Sequence, residues 1–358
     1  MNKNLLLVVA VSALMLLSGC SDNDQLLPSV QPDGGDNLDN NLSSLFDPLF
    51  AKELERRGYI ESADSITMEA VAVITELDVS GNESYGELTS LRGIEYFANL
   101  QILYCRYNQL TELDVTGNPE LTYLDCSYNQ LDELDVTHNP ELTDLFCGIN
   151  QLTELDVTDN LALTSLSCYS NYLTELDVTG NSALTYLDCS FNQLAELDVT
   201  NNLALTGLYC YDIQLTELDL THNLELTNLA CNGSQLTKLD LTHNSELKTL
   251  NCGNSQLTEL DVTGNPELIQ LYCYNNQLTE LDVSGNPALI ELYCGDNRLT
   301  GLDISNNQNL EYFYCIANPG ENGAFRVKVW PGFGEVPECF DKGFFNYNGD
   351  TVIIEYWE

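Results

Sequence analysis

The chain has 358 residues, with 55 acidic side chains against 12 basic ones and a net charge of −43. That balance excludes a nucleic-acid binder, which needs Lys and Arg to neutralise phosphates, and disfavours direct docking on anionic lipid. Thirteen cysteines raise the question of disulfides or metal, and their spacing decides how they are read.

At the N-terminus, Lys3 precedes an apolar run, Leu5–Leu17, shorter than the roughly 20 residues of a membrane span. A basic start, an apolar core and small residues at a cut site read as a secretory signal over residues 1–19. The run closes in Leu17-Ser18-Gly19-Cys20, which resembles the lipobox of bacterial lipoproteins. The resemblance implies that Cys20 becomes the first mature residue and carries lipid. An ordinary signal peptide with a chance cysteine is the alternative. Residues 20–44 are acidic and rich in Asn, Gly and Pro. They hold too little apolar surface to offset the entropy of ordering and are expected to form a disordered tether. The Ser21-Asp22-Asn23-Asp24 stretch looks like the signals that send some lipoproteins of Bacteroidota to the outer face of the outer membrane. The expected location is the bacterial envelope, as a surface-exposed outer-membrane lipoprotein held by its Cys20 lipid.

Residues 45–99 are expected to form an N-terminal cap and lead-in. DPLFAKELERRGY predicts a short helix with Asp47 as N-cap, Pro48 at its first position and Gly58 as the stop. Leu49, Phe50 and Leu54 are expected to face the first coil.

From residue 100 to 318 a unit of twenty-one residues, LTxLxCxxNQLTELDVTxNxx, repeats without insertion. Cysteines fall in one frame from Cys105 to Cys315, leaving only Cys20 and Cys339 outside the series. The first half, Leu-x-x-Leu-x-Cys-x-x-Asn-x-Leu, matches the leucine-rich-repeat signature with Cys in an apolar slot. The second half, LTELDVTxN, nearly repeats it with Val in that slot. Alternation of period two puts Leu124 and Cys126 on one face and Tyr123, Asp125 and Ser127 on the other. One unit cannot bury its apolar face alone, whereas stacked units share a continuous core. The prediction is a leucine-rich-repeat solenoid of twenty-one-residue coils with a parallel β-sheet, a short N-terminal helical cap and a β-rich C-terminal cap over 319–358. In that cap, Phe325–Trp330 and Thr351–Trp357 read as strands.

These units, with the entry segment ITELDVSGN (Ile74–Asn82) and the lead-in LTSLRGIEYFANLQILYC (Leu88–Cys105), resemble the internalin-J-like, cysteine-ladder branch of bacterial leucine-rich-repeat surface proteins. The resemblance implies the fold and suggests a role in contact with a host. A commensal or environmental role is equally compatible.

Each ladder has its own reading. Stacked cysteines point the same way, and the dihedral of a disulfide is hard to reach without distorting the strands. Buried Cys also behaves as a small apolar residue, so the row is read as reduced, volume-filling thiols. Spacing leaves open whether Cys315 pairs with Cys339. The Asn ladder from Asn118 to Asn307 is unbroken and reads as turn stapling. The one from Asn108 to Asn318 is interrupted by Ile213, Ser234 and Ser255, where a bend or loosening is expected. The outward acidic ladder, Asp114 through Asp303 with Glu two residues before except at Lys238 and Gly301, is either a solvated anti-aggregation face or a weak Ca2+ or polysaccharide site.

The first half of the unit varies most. Its outward slots hold Tyr104, Tyr123, Phe146, Tyr186, Tyr209, Tyr272, Tyr293 and Tyr312, with Tyr128, Tyr169, Tyr211 and Tyr274 just past the cysteine. Tyr is large, rigid and amphipathic and is favoured at interfaces. This face is the expected binding surface for a protein or glycan ligand, although Tyr also suits exposed strand positions for its own sake. A monomer is expected. His138, His222 and His243 occupy one turn slot, and no nucleophile–base pair, phosphate loop or metal motif appears. The expectation is a non-enzymatic binding or adhesion protein with no cofactor, no metal and no nucleic-acid partner. The alternative is a structural or capture role in the envelope.

Overall fold

A computed structural model of the protein describes residues 40–82, 86–321, 324–330 and 351–356, the last by backbone alone. The signal segment, Cys20, the tether up to residue 39 and Cys339 lie outside the described residues.

In each coil three residues form a strand whose central Leu points into the core, with Phe313 in that place in the last strand. Tyr123–Asp125 pairs in parallel with Ile102–Tyr104 on one side and Asp144–Phe146 on the other, so that Leu103, Leu124 and Leu145 line up. Among the described residues twelve such strands, from Glu76–Asp78 to Tyr312–Tyr314, make one parallel sheet with no crossover. Pairing continues one residue past the strand, where the Cys126 N–H donates to the Phe146 carbonyl at 2.9 Å. Behind the sheet the Leu, Val and Cys side chains merge into one continuous core. All eleven ladder cysteines are buried and unpaired.

In the second half of the unit the Thr two residues after the ladder Asp spends its N–H and hydroxyl locally. Asp177 Oδ1 accepts from the Thr179 N–H at 2.9 Å and from the Thr179 hydroxyl at 2.6 Å. The same pair recurs at Asp135/Thr137, Asp156/Thr158 and Asp198/Thr200. Only in the last coil does this half become a strand, Gly301–Asp303, which pairs with Ala324–Val329 and through it with Thr351–Tyr356. The C-terminal strands thus prolong the second face rather than the main sheet.

The front helix, α1 (Pro48–Arg57), starts at Asp47, whose side chain accepts from the Leu49 and Phe50 N–H groups, and stops at Gly58 in the left-handed conformation. Phe50, Ala51 and Leu54 face the core, whereas Leu49 is 43% exposed. The expectation for Leu49 is corrected: at 100° per residue it lies off the stripe set by Phe50 and Leu54. Phe46 stacks on Phe50 and packs against Phe97. The cap also begins earlier than expected. Asn41 accepts the Ile66 N–H and donates to the Asp64 carbonyl, so residues 41–44 belong to the cap rather than the tether.

The entry segment is placed differently from its sequence frame. Glu76-Leu77-Asp78 pairs with Ile102–Tyr104, and the Val79 N–H donates to the Tyr104 carbonyl at 2.8 Å. An LDV triplet therefore occupies the cysteine half of coil zero, with Val79 in the thiol slot. The exposed edge of this first strand is covered from α1. Arg57 donates to the carbonyls of Asp78 and Ser80, and the Tyr59 hydroxyl accepts the Asp78 N–H at 2.8 Å. Glu53 holds Arg57 in place, and its hydrogen bonds to Arg56 and then Arg57 lower its carboxyl to about 2.

Candidate binding face on the parallel sheet

Two asparagine ladders hold the face rigid. Asn129 Nδ2 donates to the carbonyls of Cys105 and Cys126, and its Oδ1 accepts the Leu110 N–H at 3.0 Å. The unbroken ladder is buried too. Asn202 Nδ2 donates to the carbonyls of Val178 and Asn181, each at 2.9 Å. In the first ladder Ile213, Ser234 and Ser255 replace Asn, and the N–H groups of Leu194, Leu215 and Leu236 find no acceptor among the described residues. The expected loosening does not reach the strands, which keep their register through Gly207–Tyr209, Asn228–Ala230 and Thr249–Asn251.

On the outward side the aromatic residues form separate clusters rather than a continuous stripe. Tyr104, Tyr123 and Phe146 alternate between the two outward slots, with ring centroids 4.9 and 5.5 Å apart. Tyr186 and Tyr209 make a second pair at 5.4 Å. Tyr272, Tyr293 and Tyr314 make a straight third row at 5.1 and 6.0 Å. Tyr312 is exposed beside it. Burial, with the Asp125 carboxylate next, pushes the Tyr123 phenol up to about 12, and Tyr186 reaches the same value by burial and Asp188. Asp125, expected to face solvent, is buried instead. Its sheet neighbours are Tyr104 and Phe146, and Arg106 approaches it at 3.6 Å.

The tyrosines just past the cysteine form a second row. Tyr107 stacks on Tyr128 at 4.2 Å, and the Tyr169 hydroxyl reaches that of Tyr128, two coils away, at 3.2 Å. Gly148 makes this possible, because a Cβ there would lie 2.3 Å from the Tyr169 ring. Gly253 makes the same room for Tyr274. Tyr211 meets Phe191 edge-on at 4.9 Å. Sequence reasoning passed over this Gly–Tyr succession, although a Gly one slot after Cys followed by Tyr one coil later is a readable signal.

Between the second and third clusters the face dips into a depression of about 520 Å³, lined by Tyr209, Tyr211, Asn228, Ala230, Thr249, Asn251, Gln270 and Tyr272 among others. Its polar residues were not among the expected site residues. Their signal is an absence: Asn, Ala and Thr stand where other coils carry aromatics, in the coils where Ser234 and Ser255 break the Asn ladder.

Residues 98–138 match the family described as leucine-rich repeats. Over 84% of its length the chain is 33% identical to the functional domain of InlJ from Listeria monocytogenes, which includes a cysteine ladder, covering 79% of that chain with a TM-score of 0.65. The chain belongs to the bacterial leucine-rich-repeat proteins. Two further leucine-rich-repeat structures share the fold alone. An internalin, InlF, also from Listeria monocytogenes, is 21% identical, with 89% of this chain and 93% of that one covered at a TM-score of 0.69. A leucine-rich-repeat protein of Leptospira interrogans is 22% identical, with 74% and 76% covered at 0.61. No curated protein sequence matches the chain significantly.

The leucine-rich-repeat core shows what the other candidate groups do. Burial pushes the thiols of Cys168, Cys231, Cys273 and Cys315 up to about 12, so the ladder stays protonated and unreactive at neutral pH. The Asp ladder has a structural job in every coil, since each Oδ1 accepts the N–H of the Thr or, at Asp282 and Asp303, the Ser two residues on. The Thr179 hydroxyl, and then its N–H, hold Asp177 below the usual carboxylate range. Among the described residues no group of three or more His, Cys, Asp or Glu is placed to hold one metal ion. His138, His222 and His243 sit exposed in turns, each beside the Thr hydroxyl of its own turn. No helix among the described residues is long and apolar enough to cross a membrane.

Proposed function

We propose that the protein is a recognition or adhesion protein, anchored by lipid at Cys20 and displayed on the bacterial surface. It binds a protein or glycoconjugate partner across the aromatic face of its sheet. One observation carries this reading. A twelve-strand scaffold held by two Asn ladders presents the half-exposed clusters around Tyr123, Tyr209 and Tyr293 on one side. Rigid aromatic groups on a pre-organised surface supply contact area at low entropic cost. The likeness to InlJ, the functional domain of a cysteine-ladder leucine-rich-repeat protein, supports the same reading. The chemistry is non-covalent binding by a monomer, without catalysis.

The test uses the full chain purified in detergent and a screen for partners on cells and extracellular matrix. Paired substitutions in adjacent coils, Tyr123→Ala with Phe146→Ala and Tyr272→Ala with Tyr293→Ala, are expected to abolish binding at unchanged Tm. Full binding by both pairs sinks the sheet-face reading. For the anchor, Cys20→Ser is expected to stop fatty-acid incorporation and release the protein from the membrane fraction.

A second reading draws on the opposite face. A groove of about 990 Å³ there is lined by Glu133, Asp135, Glu154, Asp156, Glu175, Asp177, Glu196 and Asp198 from four consecutive coils. It fits an envelope structural or capture role through Ca2+ or polysaccharide. A Ca2+-dependent rise in Tm that disappears on Asp→Asn substitution in this ladder decides for it.

A further inference from the structure

We infer that the depression between Tyr209 and Tyr272 is a subsite for an uncharged oligosaccharide segment, an inference that rests on the sheet-face reading above. In the two coils between these tyrosines the outward strand slots hold Asn228, Ala230, Thr249 and Asn251. The loss of aromatic bulk opens about 520 Å³, within the roughly 300–1,000 Å³ of small-ligand sites. Tyr209 and Tyr272 stand three strand steps apart, about 14 Å at a spacing of ~4.8 Å.

Charge selects the class of ligand. None of the residues lining the depression carries a formal charge, on a chain whose net charge is −43. An anionic sugar or peptide meets no cation there and is repelled at long range. A cationic group finds no carboxylate among the lining residues, and both oxygens of the neighbouring Glu291 already accept a hydrogen bond. Gln270 Nε2 donates to one at 2.9 Å, and the Tyr272 hydroxyl donates to the other.

The polar groups on offer are amides. The side chains of Asn228 and Asn232 have no hydrogen-bond partner among the described residues, and Asn251 uses only its Oδ1, to accept from the Gly253 N–H at 3.3 Å. A primary amide sets a donor and an acceptor side by side, which matches a pair of neighbouring hydroxyls. The negative face of a phenol ring attracts the polarised C–H face of a sugar. The wall is also held in place. The Thr249 hydroxyl donates to Gln270 Oε1 at 3.1 Å, so Thr249, Gln270, Glu291 and Tyr272 form one chain of hydrogen bonds. That order lowers the entropic cost of binding.

The test titrates the full chain in detergent with a panel of neutral oligosaccharides of glucose, galactose, mannose, N-acetylglucosamine and N-acetylgalactosamine, alongside sialylated and sulfated forms. Calorimetry and saturation-transfer NMR are the readouts. At least one neutral member is expected to bind, with saturation on its C–H face and weaker binding of its charged forms. Tyr272→Ala is expected to weaken it at least tenfold. The double variant Ala230→Tyr with Asn251→Tyr fills the depression and is expected to abolish sugar binding at unchanged Tm, because Tyr209 and Tyr272 already occupy that slot in neighbouring coils. Silence across the panel, a preference for charged sugars, or sugar binding within twofold of wild type in the filled variant overturns the assignment. A filled variant that still binds its cellular partner, with no sugar bound by the wild type, overturns the subsite and leaves the sheet-face reading standing. Loss of cellular binding in neither Tyr pair overturns the sheet-face reading itself.

Discussion

Asn129 accepts the backbone N–H of Leu110, in the preceding coil, through its Oδ1 at 3.0 Å. This bond recurs at Asn150, Asn171, Asn192, Asn276, Asn297 and Asn318 and is missing where Ser234 and Ser255 stand. Ser234 instead donates to the Cys231 carbonyl at 2.8 Å and pairs with the Ser255 hydroxyl at 3.2 Å. Ser234→Asn and Ser255→Asn are each expected to stabilise the protein by about 1 kcal/mol, the net worth of a buried hydrogen bond. Denaturant melts check the gain. Hydrogen exchange supplies the local readout, with the Leu215 and Leu236 amides fast in the wild type and slow in the variants.

The repeat was legible because every slot has one physical job. Leu124 and Cys126 must point inward and Asn118 must close a turn, so period and residue type agree. What escaped the sequence lies where two patterns coincide or where a pattern stops. The LDV of Leu77–Val79 reads like the second half of a unit, yet it docks beside Leu103, because both halves share the same inward alternation. Leu49 looks like core and is exposed, since helix phase is set by Phe50 and Leu54. The Tyr209–Tyr272 depression is made of small polar residues that carry no motif, and only stacking the coils brings Asn228, Asn251 and Tyr272 to one place.

Val79 fills the thiol slot of the entry coil at 1% exposure, whereas the cysteines fill it in the others. Cys168→Val is therefore expected to be tolerated with little change in Tm, as a swap between small apolar side chains. Cys168→Ser buries a hydroxyl and is expected to cost about 1–3 kcal/mol. The same burial dictates alkaline behaviour. The folded thiols of Cys168, Cys231, Cys273 and Cys315 sit at about 12, above the value of 9.0 for an ordinary Cys. Unfolded chains ionise first, so this stabilisation is complete below about pH 9 and is lost as pH rises toward 12. Melting from pH 7 to 11 should show the fall, and native protein should resist thiol reagents at pH 8 until denatured.

Asp177 and Thr179 predict the acid limb. Hydrogen bonds from the Thr179 hydroxyl and N–H lower the Asp177 carboxyl below its ordinary 3.8. A lowered folded value means stabilisation that is present above the unfolded pKa and lost as pH falls through the folded one. Thr179→Val removes the hydroxyl and is expected to melt below the wild type at pH 6. The gap should close as pH drops below about 4, the ordinary Asp range. Asp177→Asn keeps an Oδ1 acceptor but removes the charge that the lowered carboxyl value shows the fold to favour, so its Tm at pH 7 is expected to fall below the wild type, with the gap closing in acid. A Tm at pH 7 equal to or above that of the wild type contradicts the charged capping role.

Arg57 decides whether the front edge of the sheet stays closed. It reaches from α1 to the carbonyls of Asp78 and Ser80, which the first strand and its continuation turn away from the partner strand Ile102–Tyr104. An uncovered edge of a parallel sheet is a template for pairing with another chain. Arg57→Ala leaves two carbonyls without donors and frees Glu53 from one of its two Arg partners. It is expected to lower Tm and to give concentration-dependent association on light scattering. Arg57→Lys offers one flexible ammonium in place of a planar fork that bonds both carbonyls at once, so it should recover only part of the Tm. Full recovery by Lys would mean that charge at this edge matters and the two carbonyl bonds do not.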